Sequence, residues 1–500
     1  MGRLCWAGLM LAFGAAQAQA PSGSGYEQRL RELPMALEMR WDPVHIRAHD
    51  GESRERMGLL GTGLLFELEP GWWMGPVAIG AASGQRGGFF ALGAQVQRRW
   101  QLAEQWRAQL GLTAGGGGGA GAPVGGGLLV QPAASLMYDW GTVQTGLSWS
   151  RVNMPSGQIG SQQWGLVLSW DGRMRYFDVG AIGDTSPYAG RTGLGFDRVM
   201  LSTTQLRVNA HGDVPSASVR LMGVRADHHT SEIGYWGIEA AAATQGGADG
   251  YMEVLGTIGL EAPLVSWGLP SVSVGVRGAL GLGGGGAVRT GGGSLGKVAT
   301  SLRLDVGRDA FVGVEAGVVR SGSGDHKARY AQALIGLQLD HPESFAMAHV
   351  GGMAWSASVQ HLSHAARKDG RSQALDTVGL KVQQDIGALF YLTGQAQSAF
   401  AGQAGAFSMG MAGVGWSTAN AGQVSPGWQF SAELLAGAAG GGGVDTNGGA
   451  VGQGMAYLGY ALRGGSEVQV GLGRIRSLHG GLNSPVIDLS WTQHLGVSSR

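Results

Sequence analysis

Gly115-Gly-Gly-Gly-Gly119-Ala-Gly-Ala-Pro-Val-Gly125-Gly-Gly127 has two echoes further along the chain. Gly283 to Gly286, Ala-Val-Arg-Thr and Gly291 to Gly293 form the first; Gly440 to Gly443, Val-Asp-Thr-Asn, Gly448 and Gly449 form the second. A chain with 94 glycines produces such runs by chance, so the flanks decide the matter. An alternating apolar stretch precedes each run: Trp106–Ala114, Ser271–Leu280 and Phe430–Ala438. Two more strand-like stretches follow it, meeting at a tight turn near Gly141, Arg308 or Gly464. The second of these ends at an arginine, Arg151, Arg320 or Arg476, before a Gly/Ser-rich loop and a last strand. A long self-similar period governs the architecture of a chain more than any local motif does.

Working outward, three blocks superimpose: 37–170, 198–340 and 354–500, each with about eight strand candidates. Alternation is strict enough to assign faces. Phe90, Leu92, Ala94 and Val96 alternate with Ala91, Gly93, Gln95 and Gln97; Ile487, Leu489, Trp491 and Leu495 alternate with Asp488, Ser490, Thr492 and His494. Strands of about 9–13 residues with one apolar face and one polar or small face suit a tilted membrane strand, because hydrocarbon satisfies no backbone group and only a closed sheet has no edge. Trp73, Trp100, Tyr138, Trp140, Trp164 and Trp170 near strand ends fit interfacial aromatic girdles. Short turns near 69–72, 101–104 and 140–141 alternate with long connections at 115–127 and 153–161, the asymmetry of periplasmic turns and external loops.

Residues 1–18 read as a secretory signal, with Arg3, the apolar run Leu4 to Phe13 and Ala16-Gln17-Ala18 as the cleavage site. Cys5, the one cysteine, falls inside it, so no disulfide, thiol nucleophile or cysteine metal site is expected downstream. Residues 19–36 read as irregular, 171–197 as a non-spanning linker or plug, and 341–353 as a shorter linker. Lys plus Arg and Asp plus Glu are 35 each, so no nucleic-acid partner is suggested.

Over its mature length the chain resembles the Gram-negative outer-membrane β-barrel superfamily. The expected fold is all-β: a transmembrane antiparallel β-barrel of about 24 strands from three repeats of about eight. Inward positions are mainly Gly, Ala, Ser, Thr and Gln, which would underfill a small barrel, and this favours one wide cylinder. Three tandem eight-stranded barrels are the alternative, since small barrels pair charges in their cores. Arg220, Glu253, Glu261, Arg277, Arg303, Asp305 and Glu315 in the second block, and Lys381 in the third, are assigned to the lumen wall.

Three motif matches lack their structural context. Gly281-Leu-Gly283-Gly-Gly-Gly286 fits GxGxxG without a strand-to-helix turn. Gly291 to Lys297 fits a phosphate loop, but Val298 stands where magnesium needs Ser or Thr, and Gly292-Gly-Ser294-Leu-Gly296 lacks a nucleophile elbow. His361-Leu-Ser363-His364-Ala365 is the more serious candidate, since a His-x-Ser pair on a strand shares one face. It resembles the His-x-Ser-Asn-Ala segment of eight-stranded lipid A deacylases, with His364 in place of Asn. His361 and Ser363 are therefore the only catalytic candidates. No metal site is expected, because neither His45/His49 nor His228/His229 has a third ligand nearby, and no cofactor is expected.

The resulting expectation is a pore or export conduit for a polar solute or polymer, without chemistry of its own. The alternatives are a structural or surface-interaction barrel with a plugged lumen, and a lipid A deacylase-like hydrolase. Expected partners are outer-membrane lipid, the outer-membrane assembly machinery and periplasmic export proteins.

Overall fold

Period-2 patterning becomes strand almost everywhere. The computed structural model describes residues 30–47, 54–186, 191–208, 217–265, 271–286, 288–341, 347–418 and 426–499; the signal segment 1–18 lies outside the described residues. Eight strands make the first unit: β1 (Leu30–Arg47), β2 (Arg54–Glu69), β3 (Trp72–Ser83), β4 (Phe90–Ala103), β5 (Trp106–Gly118), β6 (Leu128–Asp139), β7 (Val143–Asn153) and β8 (Gly160–Phe177). Each pairs antiparallel with the next, and β1 also pairs with β8, with Leu37 opposite Trp170 and Trp41 opposite Leu166. That pairing closes the ring.

After a short 3-10 turn at Val179–Ala181 and the two-residue β9 (Thr185–Ser186), the second ring begins. It comprises β10 (Arg198–Val208), β11 (Ala217–His229), β12 (Gly234–Gln245), β13 (Met252–Val265), β14 (Val272–Gly284), β15 (Ser294–Asp305), β16 (Ala310–Ser321) and β17 (Lys327–Gln338). It closes through β10 and β17, with Thr204 opposite Gln332. The third ring is β18 (Ala348–Ala366), β19 (Ser372–Asp385), β20 (Phe390–Ala401), β21 (Ser408–Ser417), β22 (Gly427–Gly440), β23 (Ala450–Ala461), β24 (Ser466–Ser477) and β25 (Asn483–Ser499). It closes through β18 and β25, with Ser358 opposite Ser490.

The single wide cylinder is therefore corrected. Had the blocks merged, β8 would pair with β10 and β17 with β18; instead the first and last strands of each block find one another. Two boundaries move for the same reason. β1 starts at Leu30, inside the stretch read as irregular, and β8 continues to Phe177, so that Leu30 to Ala36 and Asp171 to Phe177 pair as extra length at the closing seam. The strand-like segment after Met174 is thus in part the end of β8 and not a plug. The linker read at 341–353 likewise gives up its last residues to β18, which starts at Ala348.

Apolar outward side chains line the rings. Leu166, Ile258, Leu434 and Leu472 are 59, 69, 71 and 62 % exposed, although aqueous surfaces seldom leave such contiguous apolar bands uncovered. At the short-turn end the rings carry an aromatic border: Trp106 packs on Tyr138, Tyr138 on Trp140, and Trp428 on Tyr460, with ring centroids 5.2, 4.6 and 5.2 Å apart. Trp73, expected in that border, turns inward instead and lies beneath the Arg99 guanidinium, 3.9 Å from ring centre to carbon. Among the described residues no helix is long and apolar enough to cross a membrane; the closed strands are the elements that meet the backbone requirement of hydrocarbon.

Candidate functional site: the glycine junction and the filled lumens

The three glycine runs converge. The fifth strand of each ring meets the third strand of another: β5 contacts β20, β22 contacts β12, and β14 contacts β3. These are head-to-tail contacts, and the set closes after three members, as a cyclic trimer would. Small side chains permit the approach. A Cβ on Gly116 would sit 2.6 Å from the Ala399 carbonyl oxygen, one on Gly88 2.6 Å from the Gly284 carbonyl carbon, and one on Gly440 2.8 Å from the Gly250 Cα. Backbone bonds cross the seams, from Gly87 N to Gly291 O at 2.7 Å and from Gly405 N to Gly125 O at 3.1 Å. Lys368 Nζ reaches Asp249 Oδ2 at 2.7 Å between the third and second rings. Where the rings meet, Gly88, Gly119, Gly250, Gly285 and Gly441 line a cavity of about 210 Å³. Triplication at one strand position was the available signal for this junction; the glycines are contact surfaces between barrels as well as turns.

The lumens are crossed by side chains. In the second ring Arg277 Nη1 donates to Glu239 Oε2 at 2.6 Å, and its Nε donates to Glu315 Oε2 at 3.1 Å. Lys297 bridges Glu239 (3.1 Å) and Glu253, while Arg225 spans from β11 to Glu315 on β16 at 3.3 Å. Arg198 joins Asp227 (2.8 Å) to Glu261 (3.1 Å), and Arg303 bonds Glu261 and Asp305 (2.9 Å). In the third ring Lys381 pairs with Glu433 at 3.0 Å and His494 Nε2 lies 2.8 Å from Glu467 Oε2, beside an amide chain linking Gln395, Gln453, Gln360 and Asp488. In the first ring Glu38 gathers Arg40 (3.1 Å), Gln95 (2.9 Å) and Gln97 (3.2 Å), and Asp42 accepts from Gln131 and Ser150 at 2.7 and 2.8 Å.

Of the side chains assigned to the lumen, Glu253, Glu261, Arg277, Arg303, Asp305, Glu315 and Lys381 face inward in these networks. Arg220 is a correction: Val219 and Leu221 are the buried neighbours, so Arg220 faces outward. Tyrosines fill the space expected to stand empty in a small barrel. Tyr235, Tyr330, Tyr391 and Tyr457 stand opposite inward Gly259, Gly317, Gly415 and Gly471 on neighbouring strands. Each ring lies over its glycine; a Cβ on Gly259 would come within 2.8 Å of Tyr235 Cε1 and one on Gly317 within 2.9 Å of Tyr330 Cε1. Aromatic cover of a strand glycine is a recognised device for curved sheets, and here it fills the space that glycine leaves.

His361 and Ser363 lie on the outward side of β18 at its loop end, where the register shifts between Leu362 and Ala365. His361 Nδ1 is 2.6 Å from Asp376 Oδ1. Among the described residues no hydrogen bond joins Ser363 to His361, so a histidine–carboxylate pair is formed but the hydroxyl is not engaged. His229 Nδ1 is held by Asp197 Oδ1 at 2.6 Å and His45 accepts from Arg56 at 3.2 Å; His49 lies outside the described residues. No group of three metal-ligating side chains occurs among the described residues. The GxGxxG match lies largely on β14 and runs into the ring junction.

No family model and no curated relative matches the chain. Among solved structures it is similar to OccK11 (OpdR) of Pseudomonas aeruginosa, with 12 % identity and a TM-score of 0.21, covering 96 % of this chain and 99 % of that one. It is also similar to the siderophore receptor PirA of Acinetobacter baumannii, with 9 % identity and a TM-score of 0.29, covering 93 % and 80 %. At these TM-scores the similarity does not reach corresponding sites.

Proposed function

We propose that this outer-membrane β-barrel protein is a three-barrel scaffold with closed lumens, built to present one fused loop surface, and not an open pore. The observation that carries this reading is the set of buried networks spanning each lumen, above all Arg277 between Glu239 and Glu315 and Lys381 on Glu433. Ions so placed are held because leaving either partner alone in a low-dielectric interior costs several kcal/mol, on the order of 3–5. A solute crossing one ring would have to part those bonds. The expectation of a conduit rested on a wide water-filled cylinder, and with eight strands per ring the interior is of a size that side chains fill.

Insertion by the outer-membrane assembly machinery belongs to the same reading, and the glycine junction supports a single rigid loop platform over three independent ones. Periplasmic export partners would be needed only by a conduit. The chain has no chemistry of its own on this reading, His361 serving to fix Asp376 at the rim. Purified protein in planar bilayers is expected to give no stable openings, whereas Glu433→Ala or Glu315→Ala admits brief small currents. Sustained conductance of the unaltered protein would overturn the proposal.

A further inference from the structure

Outward-facing charge is concentrated on one wall of the second barrel. At the loop end, β11, β10, β17 and β16 present Arg220, Arg207, Arg329, Lys327 and Arg320, all exposed. Register makes the arrangement costly: Arg207 stands directly opposite Arg329, and Arg320 directly opposite Lys327. Like charges directly opposite on adjacent strands destabilise a sheet. The uncharged outward neighbours are Gln205, Ser218 and Val318, and among the described residues no salt bridge joins any of the five cations to a carboxylate. On the first barrel, by contrast, the outward Arg173 and Arg175 are both matched to Glu32, at 3.0 and 2.8 Å.

A second feature continues from the first toward the middle of the strands. Ala316, Ala331, Ala333, Val314, Leu302 and Thr300 line a mainly apolar furrow of about 850 Å³ whose upper border includes Gln205 and Arg220. Small side chains on an outward face leave a depression where leucine would leave a ridge. Cations at the rim and a depression below match a molecule with anionic oxygens above and hydrocarbon chains beneath.

We propose that this wall binds a phosphorylated lipid of the leaflet at the loop end, with its phosphate held among Arg207, Arg220 and Arg329 and its acyl chains laid in the furrow. The proposal rests on the membrane reading above. A phosphate oxygen between Arg207 and Arg329 converts their repulsion into two charge-assisted bonds, and guanidinium forks suit that geometry. Free phosphate would use the rim and leave the furrow empty, so the furrow selects the lipid.

The test is native mass spectrometry and titration of the full chain in uncharged detergent with lipid A, dephosphorylated lipid A and sodium phosphate. A cation near an anionic membrane surface contributes about fivefold in affinity, so Arg207→Gln/Arg329→Gln is expected to weaken lipid A binding on the order of 30-fold. Ala316→Leu/Ala331→Leu, which fills the furrow and leaves the charge untouched, is expected to weaken it too. Arg474→Gln/Arg476→Gln on the third barrel serves as control and is expected to leave it unchanged. Because Arg207→Gln/Arg329→Gln relieves like-charge repulsion, lipid-free stability should not fall, which separates loss of binding from loss of fold. Equal binding of dephosphorylated lipid, full displacement by phosphate, or equal loss in the control would overturn the lipid site. A chain that stays soluble and folded without detergent would instead overturn the membrane reading on which it rests.

Discussion

Replacing Glu433 by leucine probes whether the third lumen is dry. Glu433 is 2 % exposed and accepts from Lys381 Nζ at 3.0 and 3.1 Å, Gln383 Nε2 at 3.0 Å and Tyr391 OH at 3.1 Å. Lys381 is 1 % exposed, and once Glu433 is gone the ammonium keeps the face of the Tyr457 ring, 4.0 Å from Nζ to its centre, and the field of the Asp488 carboxylate, but loses its hydrogen-bonded counter-ion. An uncompensated buried charge costs about 3–5 kcal/mol, whereas the same pair in a water-filled channel would be worth about 1 kcal/mol or less. Lys381→Met/Glu433→Leu removes both charges and is expected to recover most of the loss. The non-additivity should then be about 3 kcal/mol, at the upper end for side chains in contact. Hydrogen exchange of the β19 and β22 amides in the detergent-folded protein reads the opening free energy of that ring without assuming that all three rings unfold together. If Glu433→Leu opens β19 and β22 by less than about 1 kcal/mol and the double variant is additive, water reaches the pair and the closed-lumen reasoning is wrong.

Gly116→Val places a methyl-bearing carbon against the Ala399 carbonyl oxygen, 2.6 Å from the Cβ position, and overpacking of this kind costs about 1–3 kcal/mol. The Gly405 amide, bonded to Gly125 O at 3.1 Å across the seam, should exchange about tenfold faster while the lumen networks keep their protection; unchanged exchange would mean that the junction is not close-packed. His326, in the hairpin loop after β16, is buried beside the Tyr251 ring, and burial first and the Lys297 charge second push its pKa down to about 4 from 6.5. Its neutral form is favoured in the fold, so its contribution is complete above pH 6.5 and fades as pH falls toward 4, by up to about 3 kcal/mol. His326→Gln should therefore be less acid-sensitive in unfolding experiments at pH 7 and 4.5, and an unaltered pH dependence would refute this. Ser363→Ala is expected to leave lipid A acylation in the host membrane unchanged, because the hydroxyl is not engaged by His361; a changed acylation profile would revive the hydrolase reading.

Strand faces were legible in the sequence because alternation is a local property: the inward Gln95 and Gln97 and the outward Leu92 and Leu166 can be read from their neighbours alone. Closure was not legible. Period-2 patterning is identical in a ring of eight and one of twenty-four, and the deciding contacts join strands over a hundred residues apart, such as Leu37 with Trp170. The seam was further obscured by Pro34 and by Asp171, Arg173 and Arg175, whose composition reads as linker although their backbones are paired. How an inward position is filled depends on its cross-strand partner, which residue type alone does not give. Gly259 and Gly317 look like empty space until Tyr235 and Tyr330 are placed opposite them, and that requires the register. Arg220 was misassigned by one position of register, which in a strand reverses the face.

Ring closure itself is open to a direct measurement. Ser358 and Ser490 face each other across β18 and β25, both 1 % exposed, and residues so opposed lie within the Cα separation that a disulfide spans. Ser358→Cys/Ser490→Cys, made alongside Thr204→Cys/Gln332→Cys for the second ring, should oxidise in the folded protein and give a compacted, reductant-sensitive band on denaturing gels. In a single cylinder β18 would instead adjoin β17, and β25 would adjoin β1. Failure of both pairs to cross-link in the folded protein, together with cross-linking between β17 and β18, would contradict three separate closures.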